Sequence, residues 1–380
     1  MTVTEASRDL DGLTLLGDVL GAYRQDLART PDVACFGAHD ARWLRTALQV
    51  EQLVSQPARG DAQRLRRLAA HPTLRGRRLL ALAEQMEAAG ALMLAFATLA
   101  SARRVWERTD PASCGTAIFR QARICRTVGA TRAAENYYSL LASYAQRHRL
   151  SELRGRALIG FGLLRLVEGN PAAGRRWFVK ARSASGNHPV ACAVSFHAEM
   201  NAALALRDHS GALIAGSRAL AGNVLPRYDE AGVLINIASL ALRAGHPAAA
   251  LATVRRAIRR STHPRVRLIA YSKGAAAAAA LARPALVNRF AAQLMGVAAH
   301  VCVPFEEMEA RSELAEALAE VGERERARRM ARSVRAEAQR HRFAAIVHRC
   351  DRLLRDVRPE PERLPLTVAA RRVIEELVTV

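Results

Sequence analysis

The sequence predicts an all-α fold: an array of antiparallel helix pairs stacked one on the next. Three observations carry this. Alanine, the best helix former, is the commonest residue in the chain. Val, Ile, Thr and the aromatics never gather into the alternating runs that mark strands. A short turn motif also recurs at nearly constant spacing, which is the signature of a repeat architecture.

The turn is clearest in GNPAAGRRWFVKARS, residues 169–183, where a helical run stops at Gly-Asn-Pro and restarts on small residues. RLVEGNPAAGRRWF (165–178) is echoed by ALRAGHPAAALATV (241–254), CRTVGATRAAENYY (125–138) and LAEVGERERARRMA (318–331). The turn positions are Gly90, Gly129, Gly169, Arg207, Gly245, Ala282 and Gly322, spaced by 39, 40, 38, 38, 37 and 40 residues. Pro171, Pro247 and Pro284 follow two residues later, where a preset φ and a missing N–H suit the first helical turn.

Packing supports the same frame. Seven residues before the turn stand Ala83, Ala122, Gly162, Met200, Ala238, Ala275 and Ala315. Five after it stand Ala95, Ala134, Gly174, Ala212, Ala250, Val287 and Ala327. Small residues are needed where the two helices of a pair press together. Larger ones four further on, such as Tyr138, Phe178 and Val254, are expected to fill the space between pairs. X-Pro steps at Asp110-Pro111, His188-Pro189, Leu225-Pro226 and His263-Pro264 end the second helices, because the residue before proline leaves α space. This puts His188 and His263 at helix C-termini, where the dipole favours positive charge.

This order of small residue, turn glycine, small residue, larger apolar residue and terminal proline resembles the tetratricopeptide repeat (TPR) family. The resemblance covers residues 76–342, about seven units, each longer than the family's usual length of about 34. Longer units of this kind are similar to the TPR arrays of bacterial regulatory proteins. HEAT-like and other α-solenoid classes stay open. The resemblance implies a right-handed superhelical solenoid in which the first helix of each unit lines a concave groove. Around the array, residues 1–12 read as a disordered N-terminus and 13–75 as a helical cap or degenerate repeat. Residues 343–357 read as a capping helix, and 358–380 as a linker and an amphipathic C-terminal helix.

The net charge is +22, and of 57 basic residues only Lys180 and Lys273 are lysine. Such a balance admits a polyanionic partner. It also follows from the composition of a GC-rich genome, which overuses Ala and Arg together. Arginine pairs at 66–67, 77–78, 103–104, 175–176, 255–256, 259–260 and 328–329 fall largely on second helices, the outer layer of such a stack. One continuous basic stripe would point to nucleic acid, and dispersed Arg–Glu pairing to composition. The cysteines Cys35, Cys114, Cys125, Cys192, Cys302 and Cys350 form no C-x-x-C pair, so a reducing, cytoplasmic setting is expected. The N-terminus has no basic region followed by an apolar one, and no apolar run reaches spanning length.

None of the hydrolase, P-loop, dinucleotide or zinc-protease motifs is present. The chain therefore reads as a non-enzymatic binding protein with no cofactor and no metal. Glu309, Glu313, Glu316 and Glu320 share one helix face and are expected to be solvated, paired with Arg324, Arg326 and Arg328. His341, His348 and Cys350 come close on one helix without making a metal site.

The groove holds the sharper candidates. His197 and Asn201 lie ten and six residues before the fourth turn, and Asn236 and Lys273 nine before the fifth and sixth. In peptide-binding members of the TPR family, asparagines at these phases bond an extended peptide and neighbouring basic residues hold a terminal carboxylate. An Asn side chain offers one donor and one acceptor to a backbone amide. The match is partial, because His197 stands where the family prefers lysine and Ile269 where a second basic residue would help. Ser239, Arg243, Arg123 and Arg126 extend the lining. The expected ligand is a protein or peptide segment, with Lys273 and His197 favouring acidic or C-terminal groups. A nucleic-acid-linked regulator, a sensor of a signalling peptide and a homo-oligomer are the alternatives.

Overall fold

A computed structural model describes residues 92–186, 188–298, 304–356 and 364–379, together with single positions between 76 and 87. The expected N-terminal segments, the turn at Gly90 and most of the linker lie outside the described residues. Among the described residues there is no strand, and helices follow one another throughout. The chain divides into two compact units, residues 1–191 and 192–380.

In the first unit α1 is Leu92–Trp106, α2 Pro111–Thr127, α3 Thr131–Arg147, α4 Ser151–Val167 and α5 Pro171–Ala184. The division falls near the start of α6, Pro189–Ala205. The second unit continues with α7 His209–Leu220, α8 Arg227–Arg243, α9 Pro247–Arg260, α10 Pro264–Ala280 and α11 Pro284–Ala298. It ends with α12 Pro304–Glu320, α13 Arg324–Arg340, α14 Ala344–Leu354 and α15 Val368–Thr379.

Among the described residues, the turns at Gly129, Gly169, Gly245, Ala282 and Gly322 each close an antiparallel pair. Within the first unit α2 packs on α3 and α4 on α5; within the second α8 packs on α9, α10 on α11 and α12 on α13. First helices also touch first helices, α2 with α4, α8 with α10 and α10 with α12, so they form an inner layer with the second helices outside it. The first helices α2, α4, α6, α8, α10 and α12 are all 17 residues long. The second helices range from 12 residues in α7 to 17 in α3 and α13. The spread in repeat length therefore comes from the outer layer and its connections.

The turns share one hydrogen-bond pattern. The N–H after the turn residue reaches back to the helix it has just left: Ala130 to Cys125, Asn170 to Arg165, Asp208 to Ala203, His246 to Ala241, Arg283 to Ala278 and Glu323 to Leu318. This is the left-handed C-cap, and it requires positive φ at the turn residue. Gly129, Gly169, Gly245 and Gly322 have φ between 77° and 91°, while Arg207 and Ala282 hold the same turn at 58° and 52°. A Cβ on any of those four glycines would meet nothing within 4 Å, so backbone conformation alone selects glycine there. Ala282→Gly is accordingly expected to stabilise the protein by about 0.5–1 kcal/mol, because relief of the left-handed strain exceeds the entropy glycine adds to the unfolded chain. A lower urea midpoint for this variant would show that the alanine methyl carries packing the turn does not reveal.

The small positions are all buried. Unit by unit they trade size. Met200 replaces a small residue on α6, and Gly216 stands four after Ala212, where other units carry Tyr138 or Phe178. A Cβ on Gly216 would lie 3.0 Å from Met200 Sδ, so the bulk has moved from one helix of the pair to the other. Tyr138 does reach the next pair, lying over Gly160 of α4. Phe178 differs from expectation, because it packs inside its own pair against Gly162.

The X-Pro steps also act differently from the sequence reading. Pro111, Pro189 and Pro264 open the following helices, and the second helices have already ended several residues earlier. Asp110 caps α2 through its carboxylate, which accepts from Ser113 N–H at 3.0 Å. His263 occupies the N-cap of α10 and His188 directly precedes α6, so neither sits at a helix C-terminus. Among the described residues, His148 and His341 do, as the C-caps of α3 and α13.

The C-terminal helix folds back. After α7 the chain turns out through Gly222 and Asn223, both at positive φ. Helix α15 lies against α7 and α9, burying Leu364, Leu366, Ala370 and Ile374 in the second unit's core. Thr367 N–H donates to Ser210 Oγ at 3.0 Å, across 157 residues of sequence.

Candidate functional site

The inner layer of the second unit concentrates the polar side chains singled out by register. Because the first helices are equal in length and start in phase, residues nine before each turn come side by side. Asn236 of α8, Lys273 of α10 and Glu313 of α12 are such residues.

Asn201 of α6 and Asn236 of α8 face each other, with Asn236 Nδ2 donating to Asn201 Oδ1 at 2.9 Å. Each amide keeps one half of its capacity: among the described residues Asn201 Nδ2 and Asn236 Oδ1 make no hydrogen bond. His197, one turn earlier on α6, packs over Gly232 and lies 3.8 Å from the Asp229 carboxylate. Burial lowers its pKa and the Asp229 charge opposes that only in part, so the ring is neutral at pH 7. Ser239 is half-buried further along α8, and Arg243 is exposed at that helix's last residue.

Lys273 does not join the asparagine pair. Its ammonium bonds the Glu313 carboxylate, which also accepts from Ser272 Oγ at 2.9 Å and lies 3.4 Å from Arg349 of α14. Burial pushes the Glu313 carboxyl up, but the Lys273 charge, its hydrogen bond and Arg349 together hold it below the ordinary carboxylate value. Glu316 meets Arg352 at 3.6 Å, and Arg265 of α10 pairs with Glu306. Glu309 makes no hydrogen bond or ion pair through its side chain among the described residues, and burial beside Glu313 raises its pKa.

Glu313 and Glu316 of the acidic row are thus wired to α10 and α14, not to Arg324, Arg326 and Arg328 as the sequence suggested. Arg326 is taken by Asn288 and Glu323, and Arg328 by Glu325 and Asp356. His341 stacks on Phe343 and Cys350 is buried, while His348 is exposed; the three do not converge. Among the described residues no group of three or more His, Cys, Asp or Glu could hold a metal ion.

Arg123 and Arg126 lie in the first unit. Arg123 pairs with Glu87, which it shares with the buried Arg120. Arg126 sits by Tyr138, whose hydroxyl pKa is raised by burial against the pull of that guanidinium. Register could have found Glu313, which is in phase with Asn236 and Lys273. Asp229 and Arg349 carry no sequence signal of their role, because their partners are 32 and 36 positions away along the chain.

Helix pairs joined by left-handed turns, with first helices touching first helices, make this protein an all-α helical repeat. No protein-family model matches the sequence, and no curated protein matches it. A solved structure of the TPR2AB domain of yeast Sti1 in a pHSP90 complex is similar at 14% identity with a TM-score of 0.28, covering 74% of this chain and 98% of that one. The fold assignment rests on the helix pairs themselves. No described helix is long and apolar enough to cross a membrane.

Proposed function

We propose that the protein is a non-enzymatic scaffold or regulator that holds an extended segment of a protein or peptide partner on the inner layer of its second unit. The observation that carries this reading is the Asn201–Asn236 pair. Bonded to each other, the two amides still offer the N–H donors of Asn201 and the oxygen acceptor of Asn236, which together can meet the acceptor and donor of a single peptide group in an extended chain. The pair is held by two helices of fixed length, so little ordering is needed on binding. Neutral His197 flanks it and gives no charge for a ligand carboxylate. Lys273 is engaged by Glu313, so an acidic or C-terminal group would have to displace that carboxylate. A ligand bound through its backbone fits these groups better than one bound through negative charge. A free signalling peptide and the tail of a larger protein meet the same requirement.

The test is a pulldown from nuclease-treated lysate of the source organism, with wild type beside the Asn201→Ala/Asn236→Ala double variant. A partner retained by wild type and lost at least tenfold by the folded double variant supports the asparagine pair as the binding site. Equal retention by both would move the site elsewhere on the molecule.

A further inference from the structure

The second unit separates charge between its two layers. The first helices α8, α10 and α12 carry two, three and one basic residues against two, none and six acidic ones. The second helices α9, α11 and α13 carry four, one and seven arginines, with only Glu325 and Glu337 against them. The first unit shows no such division: α2 has three arginines and no acid, and α5 has three arginines and a lysine. An arginine-rich composition by itself would load both layers alike.

The inner acids neutralise the inner bases, as the Lys273–Glu313–Arg349 and Arg265–Glu306 groups demonstrate. Some outer arginines are also paired, Arg256 and Arg260 with Glu230 of α8, Arg326 with Glu323, Arg328 with Glu325 and Asp356 and Arg335 with Asp351, but the rest are left over. Arg255 and Arg259 on α9, Arg289 on α11, and Arg329, Arg332 and Arg340 on α13 are all exposed, and none makes an ion pair among the described residues. The three on α13 are spaced 3 and 8 apart and share one face. They span about 16 Å of helix. Asn288 of α11 bonds both Glu323 and Arg326 at the start of α13, which ties these two outer helices together beside Arg289.

We infer that this outer face of α9, α11 and α13 contacts the phosphate backbone of double-stranded nucleic acid without reading its sequence. Guanidinium forks bind phosphate bidentately, and a duplex presents a charge about every 1.7 Å of axis, which suits a two-dimensional field of unpaired arginines. The same face lacks what other polyanionic partners need. An acidic protein surface would require an apolar or aromatic anchor at its centre, and the one large apolar side chain exposed on these helices is Met295. Single strands are held by base stacking, and no aromatic ring is exposed on α9, α11 or α13. A membrane would need an apolar face to enter the interface, which these helices turn to the core. The inference is independent of the peptide site, which lies on the opposite layer.

The experiment is fluorescence anisotropy of the full chain with a short random-sequence DNA duplex, titrated at several salt concentrations between about 50 and 200 mM. Wild type is expected to bind with a logarithm of affinity that falls linearly with the logarithm of salt. Arg329→Gln/Arg332→Gln/Arg340→Gln is expected to flatten that slope by about 2–3 and to weaken low-salt binding at least tenfold. A charge-matched control in the first unit, Arg132→Gln/Arg147→Gln/Arg154→Gln, is expected to keep most of the affinity. The inference is overturned if wild type does not bind, if both triple variants lose equally, or if poly-glutamate or single-stranded DNA of equal length competes as well as the duplex. Should the α13 variant lose its helical circular dichroism, Arg255→Gln/Arg259→Gln on α9 gives the same reading with a slope change of about 2.

Discussion

Gly162→Val is expected to destabilise the protein by about 3 kcal/mol, because α4 and α5 approach too closely to admit a side chain between them. A Cβ at Gly162 would lie 2.3 Å from Phe178 Cε1 and 2.8 Å from Cδ1. Phe178 is fully buried and cannot swing out. The facing contact is as tight: a Cβ on Gly174 would lie 2.2 Å from Leu166 Cδ1 and 2.9 Å from the Gly162 carbonyl oxygen, which is backbone and cannot yield. Phe178→Ala alone costs about 3–5 kcal/mol through the cavity it leaves. Combined with Gly162→Val the loss is expected to fall well short of the sum, since the valine fills part of that cavity. Urea unfolding of the two single variants and the double variant measures this coupling. A Gly162→Val midpoint indistinguishable from wild type would mean that the two helices are not in this contact.

Glu313→Gln is expected to cost about 2–3 kcal/mol at pH 7, which is below the range for a fully buried pair because Lys273 keeps some exposure. The change leaves the Lys273 and Arg349 charges facing each other without the carboxylate that joins them. Lys273→Met/Glu313→Leu is expected to recover most of the loss, because the cost lies in an uncompensated charge more than in the missing attraction. The pH dependence follows from the direction of each shift. Glu313 titrates below its unfolded value of 4.5, so its contribution is complete above that value and is lost as pH falls through the depressed folded pKa. Glu309 and Glu316 titrate above 4.5; their charged forms oppose folding at neutral pH, and protonation relieves this as pH falls through the raised values. The gap between wild type and Glu313→Gln should therefore close at the acid end. A gap that stays unchanged as the pH is taken progressively below the unfolded value of 4.5 would show that Glu313 acts through packing and not through charge.

Much of the fold was legible in the chain because its causes are local or periodic. The turn at Gly169-Asn170-Pro171 needs only neighbouring residues to form, and it repeats, so six described turns fall where spacing put them, two of them without glycine. The small positions around each turn were equally readable, since a helix pair brings residues twelve apart in sequence against each other whatever lies beyond. Phases on the first helices also told which residues would share the inner layer, and so brought Asn201 and Asn236 to adjacent helices.

What the sequence could not assign was partner choice among groups of like chemistry. The four glutamates of the row on α12, Glu309, Glu313, Glu316 and Glu320, had arginines near in sequence, yet Lys273 lies 40 positions away and Arg349 36, and those are the charges that the stacking brings onto Glu313. Coulomb attraction carries no sequence address; burial decides which pairs are strong, and burial is a property of stacked helices. The same holds for α15. Its amphipathic pattern was plain, but that Leu366, Ala370 and Ile374 would dock on α7 and α9 depended on space left where α7 stops short at Leu220, which tertiary packing alone creates. The sequence by itself determined the repeat, its turns and the layer each residue occupies. Only the tertiary structure decided which charges neutralise one another and which arginines remain free, because that balance is struck between residues of neighbouring repeats.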